Sequence, residues 1–272
     1  MSGWLSTEKT KDINSISEPW LKGFFSDSHY DWDGKTWKRN FTELRARDLA
    51  IMALCDLTSK NILDVGCGDG TYAFVLSKLG AKVSGQDLGS KQIQTANERV
   101  YGKSNELKGK FICANADNLK FESNSFDAVF SADFFEHIDL NTKKQVISEI
   151  YRVLKPGGIV VIKTPNLNYL KLTIYLKRIL AVIMFKSPRI YIAHTNNNPD
   201  NEHHGLTHYK EMSNLLENNF FHNPVFIHNL LIRKKLNRNI SDLLFSLNIK
   251  SFSETLIISA RKSIFVGVAD DL

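Results

Sequence analysis

The chain has 272 residues, 43% hydrophobic and 24% charged, a globular balance that excludes general disorder and fits one large domain with embellishments or a domain plus a small subdomain. A net charge of +6 argues only weakly for an anionic partner such as nucleic acid, because a solvated basic surface accounts for it equally well.

The first 30 or so residues are polar and aromatic, with Pro19 and Gly34 as punctuation, and read as an N-terminal arm of short helices. No basic stretch leads into an apolar run there, so no secretory signal is expected. Phe41, Leu44, Leu49, Met52 and Leu57 then recur near helical spacing, extending the arm over 1–57. From residue 58 strand and helix alternate. "NILDV" reads as a strand, "GTYAFVLSKLG" as a helix closed by Gly80, "AKVSGQD" as a strand and "SKQIQTANERV" as a helix. "GKFICANA" and "FDAVFSA" follow as strands, then "NTKKQVISEIYRVL" as a helix and "GGIVVIKTP" as a strand. Alternation at this pitch means a parallel sheet covered on both faces, an α/β fold. The rhythm breaks after Pro165, so 167–205 reads as an insertion. The domain resumes over 206–272, with a helix capped by Thr207, late strands "PVFIHNLLI" and "TLIISARK", and a helical link over 233–248.

The chemistry concentrates in "LDVGCGDG", where Gly66, Gly68 and Gly70 allow a tight turn and close approach of a ligand to the backbone. Three occupants compete. A phosphate cradle needs a Lys followed by Ser or Thr, and none is present. A dinucleotide fingerprint wants a third glycine where this chain has Thr71, and Asp69 would oppose a pyrophosphate. A phosphate-free, cationic nucleoside suits Asp64 at the end of the first strand and Asp87 at the end of the second, where a carboxylate can accept ribose hydroxyls. Cys55, Cys67 and Cys113 have no paired spacing, which fits a reducing cytosol, and no run of about 18 apolar residues suggests a membrane span.

"LDVGCGDG", "VSGQD", "ANADNLKFESNSFDAVFSADFFEHI" and "EIYRVLKPGGIVVIKTPN" together resemble the successive motifs of class I S-adenosylmethionine-dependent methyltransferases, in order and spacing over residues 60–166. They are most similar to the small-molecule group that includes quinone-biosynthesis and sugar methyltransferases. The resemblance implies a Rossmann-like seven-stranded sheet whose last strand is antiparallel, with the cofactor-binding half over 58–166. It implies that Asp64 and the backbone of Gly66 and Gly68 hold the methionine part of S-adenosylmethionine, with Cys67 among the cofactor-binding residues, and that Asp87 holds the ribose. Leu88, Asn115 and Ala116 would meet the adenine, with Asp117 as an alternative and Ser131 completing the set. The product would be S-adenosylhomocysteine. A methyltransferase-like module that binds the nucleoside without catalysis is the alternative from another class.

"FSADFFEHIDL" follows the fourth strand, beside the methyl group in such a fold. His137 is the candidate general base, set against a packing or capping role at the turn. Asp133, Glu136 and His137 also resemble the arrangement some quinone O-methyltransferases use for a divalent metal; that reading ranks below a structural one, and no metal is assigned. "DNEHHGLTH" offers His203, His204 and His208, of which His204 is a second candidate facing the acceptor. The fourth strand ends in "SADFFEHI" and lacks the tetrad of amino-methylating DNA enzymes, so no nucleic-acid partner is expected. The expected acceptor is a hydroxyl on a sugar, glycan or lipid-linked intermediate, with a quinone precursor as runner-up. The basic, apolar stretch 167–190 reads as a membrane-interface helix, a lid or a homodimer contact, in a chain otherwise expected in the cytoplasm.

Overall fold

A computed structural model describes residues 54, 57, 59–101, 110–187, 205–227 and 255–264. The expected arm helices, apart from Leu54 and Leu57, lie outside the described residues. So do Cys55, His203, His204 and the expected helix over 233–248.

Strand β1 (Asn61–Val65) is apolar on both faces and is buried beyond its first residue, as a central parallel strand must be. It leads through the glycine loop to α1 (Thr71–Lys78), β2 (Lys82–Asp87), α2 (Ser90–Tyr101) and β3 (Phe111–Cys113). β4 (Phe126–Ala132), a 3₁₀ turn (Phe135–His137), α3 (Leu140–Val153) and β5 (Leu154–Pro165) follow. Then come α4 (Leu167–Ile183), α5 (Tyr209–Glu217), β6 (Phe221–Ile227) and β7 (Thr255–Lys262). The seven strands form one sheet in the order β3-β2-β1-β4-β5-β7-β6. β1 to β5 pair in parallel, and β7 lies antiparallel between β5 and β6. This is the α/β architecture expected from the alternation.

Period-two alternation sorts the strand side chains into two cores. Ile62, Phe130, Val161 and Ile257 pack with Ala73, Leu76, Ile93 and Ala96 of α1 and α2 on one face. Leu63, Val129, Ile162 and Ile258 pack with Val146, Ile150, Met212 and Leu216 of α3 and α5 on the other. The direction of strand progression reverses between β1 and β4, and the carboxyl ends of β1, β2, β4 and β5 share one edge. That edge is where sheets of this kind open a ligand crevice.

Three local expectations change. β3 is only Phe111–Cys113, because the carbonyls of Asn115 and Asn118 are taken by the Gln86 side chain and the chain turns there. α5 is capped by His208, whose Nδ1 accepts from the Glu211 amide at 3.2 Å. Thr207 is instead buried in a parallel bridge to Asn166, with its carbonyl accepting the Leu167 amide. β6 begins at Phe221 rather than at Pro224, with a register break between His222 and Val225 where Asn223 has φ 51°.

Candidate functional site

The glycine loop holds three left-handed residues, with φ of 71°, 51° and 77° at Gly66, Gly68 and Gly70. They are not equivalent. A Cβ at Gly66 would lie 2.4 Å from the Phe134 ring, and one at Gly70 would lie 2.8 Å from Ala96 of α2. A Cβ at Gly68 would meet nothing within 4 Å. Two of the glycines therefore let the loop pack, and the third leaves open space over the backbone. Cys67 turns inward: its thiol is buried in the core beneath Gly85, and burial first, then Asp64 and Asp87, pushes its pKa up.

Two carboxylates line the loop from below and beside. Asp64 is 1% exposed, and its Oδ2 is a buried side-chain atom without a hydrogen-bond partner, singular in this among the described residues. Burial, helped by the nearby Asp87 and opposed by the Ala73 amide, pushes the Asp64 carboxyl up to about 8. Asp87 is held by two backbone N–H donors: Gly68 to Oδ2 and Gly89 to Oδ1, both at 2.9 Å. One side chain thus ties the glycine loop to the end of β2. Each of its oxygens accepts one of these bonds, which leaves acceptor capacity for a diol.

Asp69 behaves differently from the expectation. Its Oδ1 accepts from the amide and hydroxyl of Thr71 at 3.2 and 2.6 Å, and its Oδ2 pairs with Arg99 of α2 at 3.0 Å. It is tied to the first residue of α1 and paired with Arg99, so the carboxylates that face the crevice are Asp64 and Asp87 rather than Asp69.

Sequence reasoning passed over Gln86. It is fully buried and spends its whole amide on the segment after β3: Nε2 donates to the Asn115 and Asn118 carbonyls at 2.7 and 3.2 Å, and Oε1 accepts from the Lys120 amide at 2.9 Å. Its own carbonyl accepts the Gly66 and Cys67 amides. One residue therefore sets the distance between the glycine loop and the Asn115–Asp117 loop. The available signal was an amide among the apolar positions of a central strand. Asn115 is exposed and donates to Asp117 Oδ2 at 3.0 Å, and Ala116 is buried. Leu88 projects at the crevice with 73% exposure. Ser131 is buried, and its hydroxyl donates to the Val65 carbonyl at 2.8 Å, so it staples β4 to β1 inside the sheet.

Beyond β4, Asp133 adopts φ 54°, and both its oxygens lie 2.5 Å from Lys163 Nζ at the end of β5. That ammonium also stands 5.9 Å from the Tyr72 ring, at the start of α1. Glu136 points inward: Thr164 donates to it at 2.8 Å, and burial raises its pKa. His137 is exposed at the end of the 3₁₀ turn. Asp133 and Glu136 thus take different partners, and among the described residues no cluster of three metal-ligating side chains forms. Gly205 closes onto this turn, donating to the Glu136 carbonyl at 2.7 Å and accepting from the buried Lys143, whose pKa is lowered by burial.

A family model described as "Methyltransferase domain" matches residues 63–162. A ubiquinone biosynthesis O-methyltransferase of Thiobacillus denitrificans is 29% identical over 157 residues, 57% of this chain and 66% of that one. A sterol 24-C-methyltransferase of Gibberella zeae is 40% identical over 101 residues, 36% of this chain and 26% of that one. Among solved structures, the phosphoethanolamine N-methyltransferase 2 of Haemonchus contortus, bound to phosphomonomethylethanolamine and S-adenosylhomocysteine, superposes with a TM-score of 0.54 at 22% identity, over 80% of this chain and 52% of that one. The chain thus spans between 26% and 66% of the length of these two curated relatives.

Proposed function

We propose that the chain, whose residues 63–162 match a methyltransferase-domain model, is a class I S-adenosylmethionine-dependent methyltransferase that binds S-adenosylmethionine at the carboxyl ends of β1 and β2 and passes its methyl group to an oxygen acceptor. The observation that carries this reading is the carboxylate pair around an open glycine. Asp64 presents a buried, unpartnered oxygen, Asp87 retains acceptor capacity on both oxygens, and Gly68 leaves room above the loop. The cation beside the loop, Arg99, is committed to Asp69, so the site favours a cationic nucleoside over a pyrophosphate. When bound, the cofactor supplies an electrophilic methyl on a sulfonium. The residues of the chain then have to orient the ribose through Asp87, meet the positive charge with Asp64, and keep the adenine side in place through Gln86 and the Asn115–Asp117 loop.

Proton removal from the acceptor falls to His137, which is exposed on the turn after β4, or to His204, outside the described residues. The acceptor we favour is a hydroxyl on a sugar, glycan or lipid-linked intermediate. A quinone precursor is the second reading, supported by the ubiquinone biosynthesis relative that aligns over more than half of the chain. Titration calorimetry with S-adenosylmethionine, followed by transfer of labelled methyl to extracted lipid-linked sugars and to phenolic quinone precursors, tests all of this. Binding that Asp87→Ala weakens by about tenfold or more is expected from the loss of two charge-assisted contacts. No binding by the unaltered chain would sink the reading. Binding without transfer to either acceptor class would leave a nucleoside-binding module, and equal turnover in His137→Ala would remove that residue as base.

A further inference from the structure

α4 leaves the sheet directly after β5, at the edge that carries the crevice, and is the least covered apolar element among the described residues. Leu167, Ile174 and Ala181, spaced by seven, are its buried positions. Leu176, Ile179, Leu180 and Ile183 are all exposed, from 43% to 67%, and are spaced i, i+3, i+4 and i+7. At about 100° per residue these four span a sector roughly opposite the buried stripe, so an apolar face lies on the side of the helix away from its buried positions. Tyr175 and Val182 on the helix, and Met184 and Phe185 just past its end, add exposed apolar surface. An exposed aliphatic face of this size is not neutral decoration on a surface helix.

The charges on the same segment select its partner. Residues 167–187 contain Lys171, Lys177, Arg178 and Lys186 and no Asp or Glu. Lys171 and Lys177 fall on the two shoulders of the helix, each about 120° from the centre of the apolar sector. Long cationic side chains in that position reach the phosphate level when the stripe between them enters the acyl boundary. A second copy of the chain docking face to face would bring two such all-cationic helices together, which charge repulsion opposes. No described helix is long and apolar enough to cross a membrane, so this helix would lie on the surface rather than span it.

We propose that α4 is an interfacial helix that seats the molecule on an anionic lipid surface, with Leu176, Ile179, Leu180 and Ile183 inserted and Lys171 and Lys177 at the headgroups. The seat places the crevice edge at the bilayer, where an acceptor with a lipid anchor would arrive laterally. The contact itself stands apart from the methyl-transfer reading, since it is measured without cofactor or acceptor and survives if that reading fails.

Flotation of the full chain with vesicles of phosphatidylcholine, with and without phosphatidylglycerol, is the test. The chain should float with the anionic vesicles and only weakly with the zwitterionic ones. Lys171→Glu/Lys177→Glu should cut partitioning by about tenfold or more, since each basic residue near an anionic surface contributes measurably. Leu176→Ser/Ile179→Ser/Ile183→Ser should abolish it even at low salt. All five positions are exposed, so circular dichroism and the thermal midpoint should report an unchanged fold. Failure of the unaltered chain to float with anionic vesicles, or equal flotation of the serine variant, overturns the proposal. A lipid-free dimer that the serine variant dissolves, together with no vesicle binding, assigns the face to a second copy and likewise overturns it.

Discussion

Around β1 and β2 the polar groups of the loops are consumed inside the chain, whereas after β5 the chain leaves large apolar side chains in solvent. Asp87 holds two amides and Gln86 three groups of a neighbouring loop, and Asp64 Oδ2 is the buried side-chain atom left over. α4 instead buries three of its seventeen residues. The crevice at β1 and β2 is therefore preorganised, with its ordering cost met during folding, and suits one small ligand of defined charge. The α4 face is completed by whatever covers it. A common cofactor and a divergent acceptor would produce this asymmetry, and it agrees with a family match confined to residues 63–162.

The largest effects should come from asking whether the glycine loop is rigid for packing or for binding. Gly66→Ala adds a Cβ 2.4 Å from the Phe134 ring at φ 71°. Left-handed strain and overpacking together should cost about 4 kcal/mol, read as a lowered urea midpoint. Gly68→Ala meets no atom within 4 Å and should cost about 1 kcal/mol of left-handed strain, yet weaken cofactor binding at least as much as Gly66→Ala does. Equal stability losses at the two positions would break the distinction between a packed glycine and an open one.

Next in size is Gln86→Leu. It fills similar space but strands two carbonyls and one amide of the 115–120 segment, which should cost about 3 kcal/mol after partial rehydration of that loop. The binding constant for S-adenosylmethionine should fall while turnover at saturation stays near normal. A fall in turnover with unchanged cofactor affinity would mean that the amide serves the acceptor side instead.

Gln86 also marks where reading the sequence stops. Period-two strands, helix spacing and the carboxylate at the end of β2 are local patterns, and each gave its element and Asp87 its place. Gln86 looked like any polar strand residue, because its partners lie 29 to 34 residues away. The same limit hid the Asp69–Arg99 pair, the Asp133–Lys163 pair and the inward turn of Glu136, and it made Thr207 look like a helix cap. Each depends on which loop folds against which, and that is settled by sheet order. The apolar, all-cationic character of α4 was legible directly, because burial pattern and charge on one helix are properties of spacing.

Asp64→Asn tests the buried side-chain oxygen left without a partner among the described residues. The Asp64 carboxyl moves from 3.8 unfolded to about 8 folded, so between those values the folded chain holds a proton that the unfolded chain has lost. Stability contributed by this group is therefore greatest below the unfolded value and declines as pH rises toward 8. The asparagine does not titrate, so its stability relative to the unaltered chain should improve by about 2 kcal/mol between pH 6 and 8. Cofactor affinity of the unaltered chain should rise over the same interval, as a cationic ligand favours the ionised carboxylate, and that rise should be missing from Asp64→Asn. A stability difference that does not move with pH would show that Asp64 is ionised throughout and has a partner after all.

The smallest expected effect sharpens the comparison from the other side. Ile183 is 67% exposed, so Ile183→Ser removes no buried contact and should leave the unfolding free energy within about 0.5 kcal/mol of the unaltered chain in lipid-free solution. Ile174, on the same helix, is only 9% exposed, and Ile174→Ser should cost about 3 kcal/mol through lost burial and a stranded hydroxyl. The pair separates the two faces of α4 by stability alone, before any lipid is added. If Ile183→Ser is as costly as Ile174→Ser, the outer face is already covered by the chain itself, and α4 is as finished as the crevice at β1 and β2. If Ile183→Ser is neutral in solution but lowers vesicle partitioning, the apolar face has no role in folding, and its cost in exposed aliphatic surface is explained by what it meets outside the molecule.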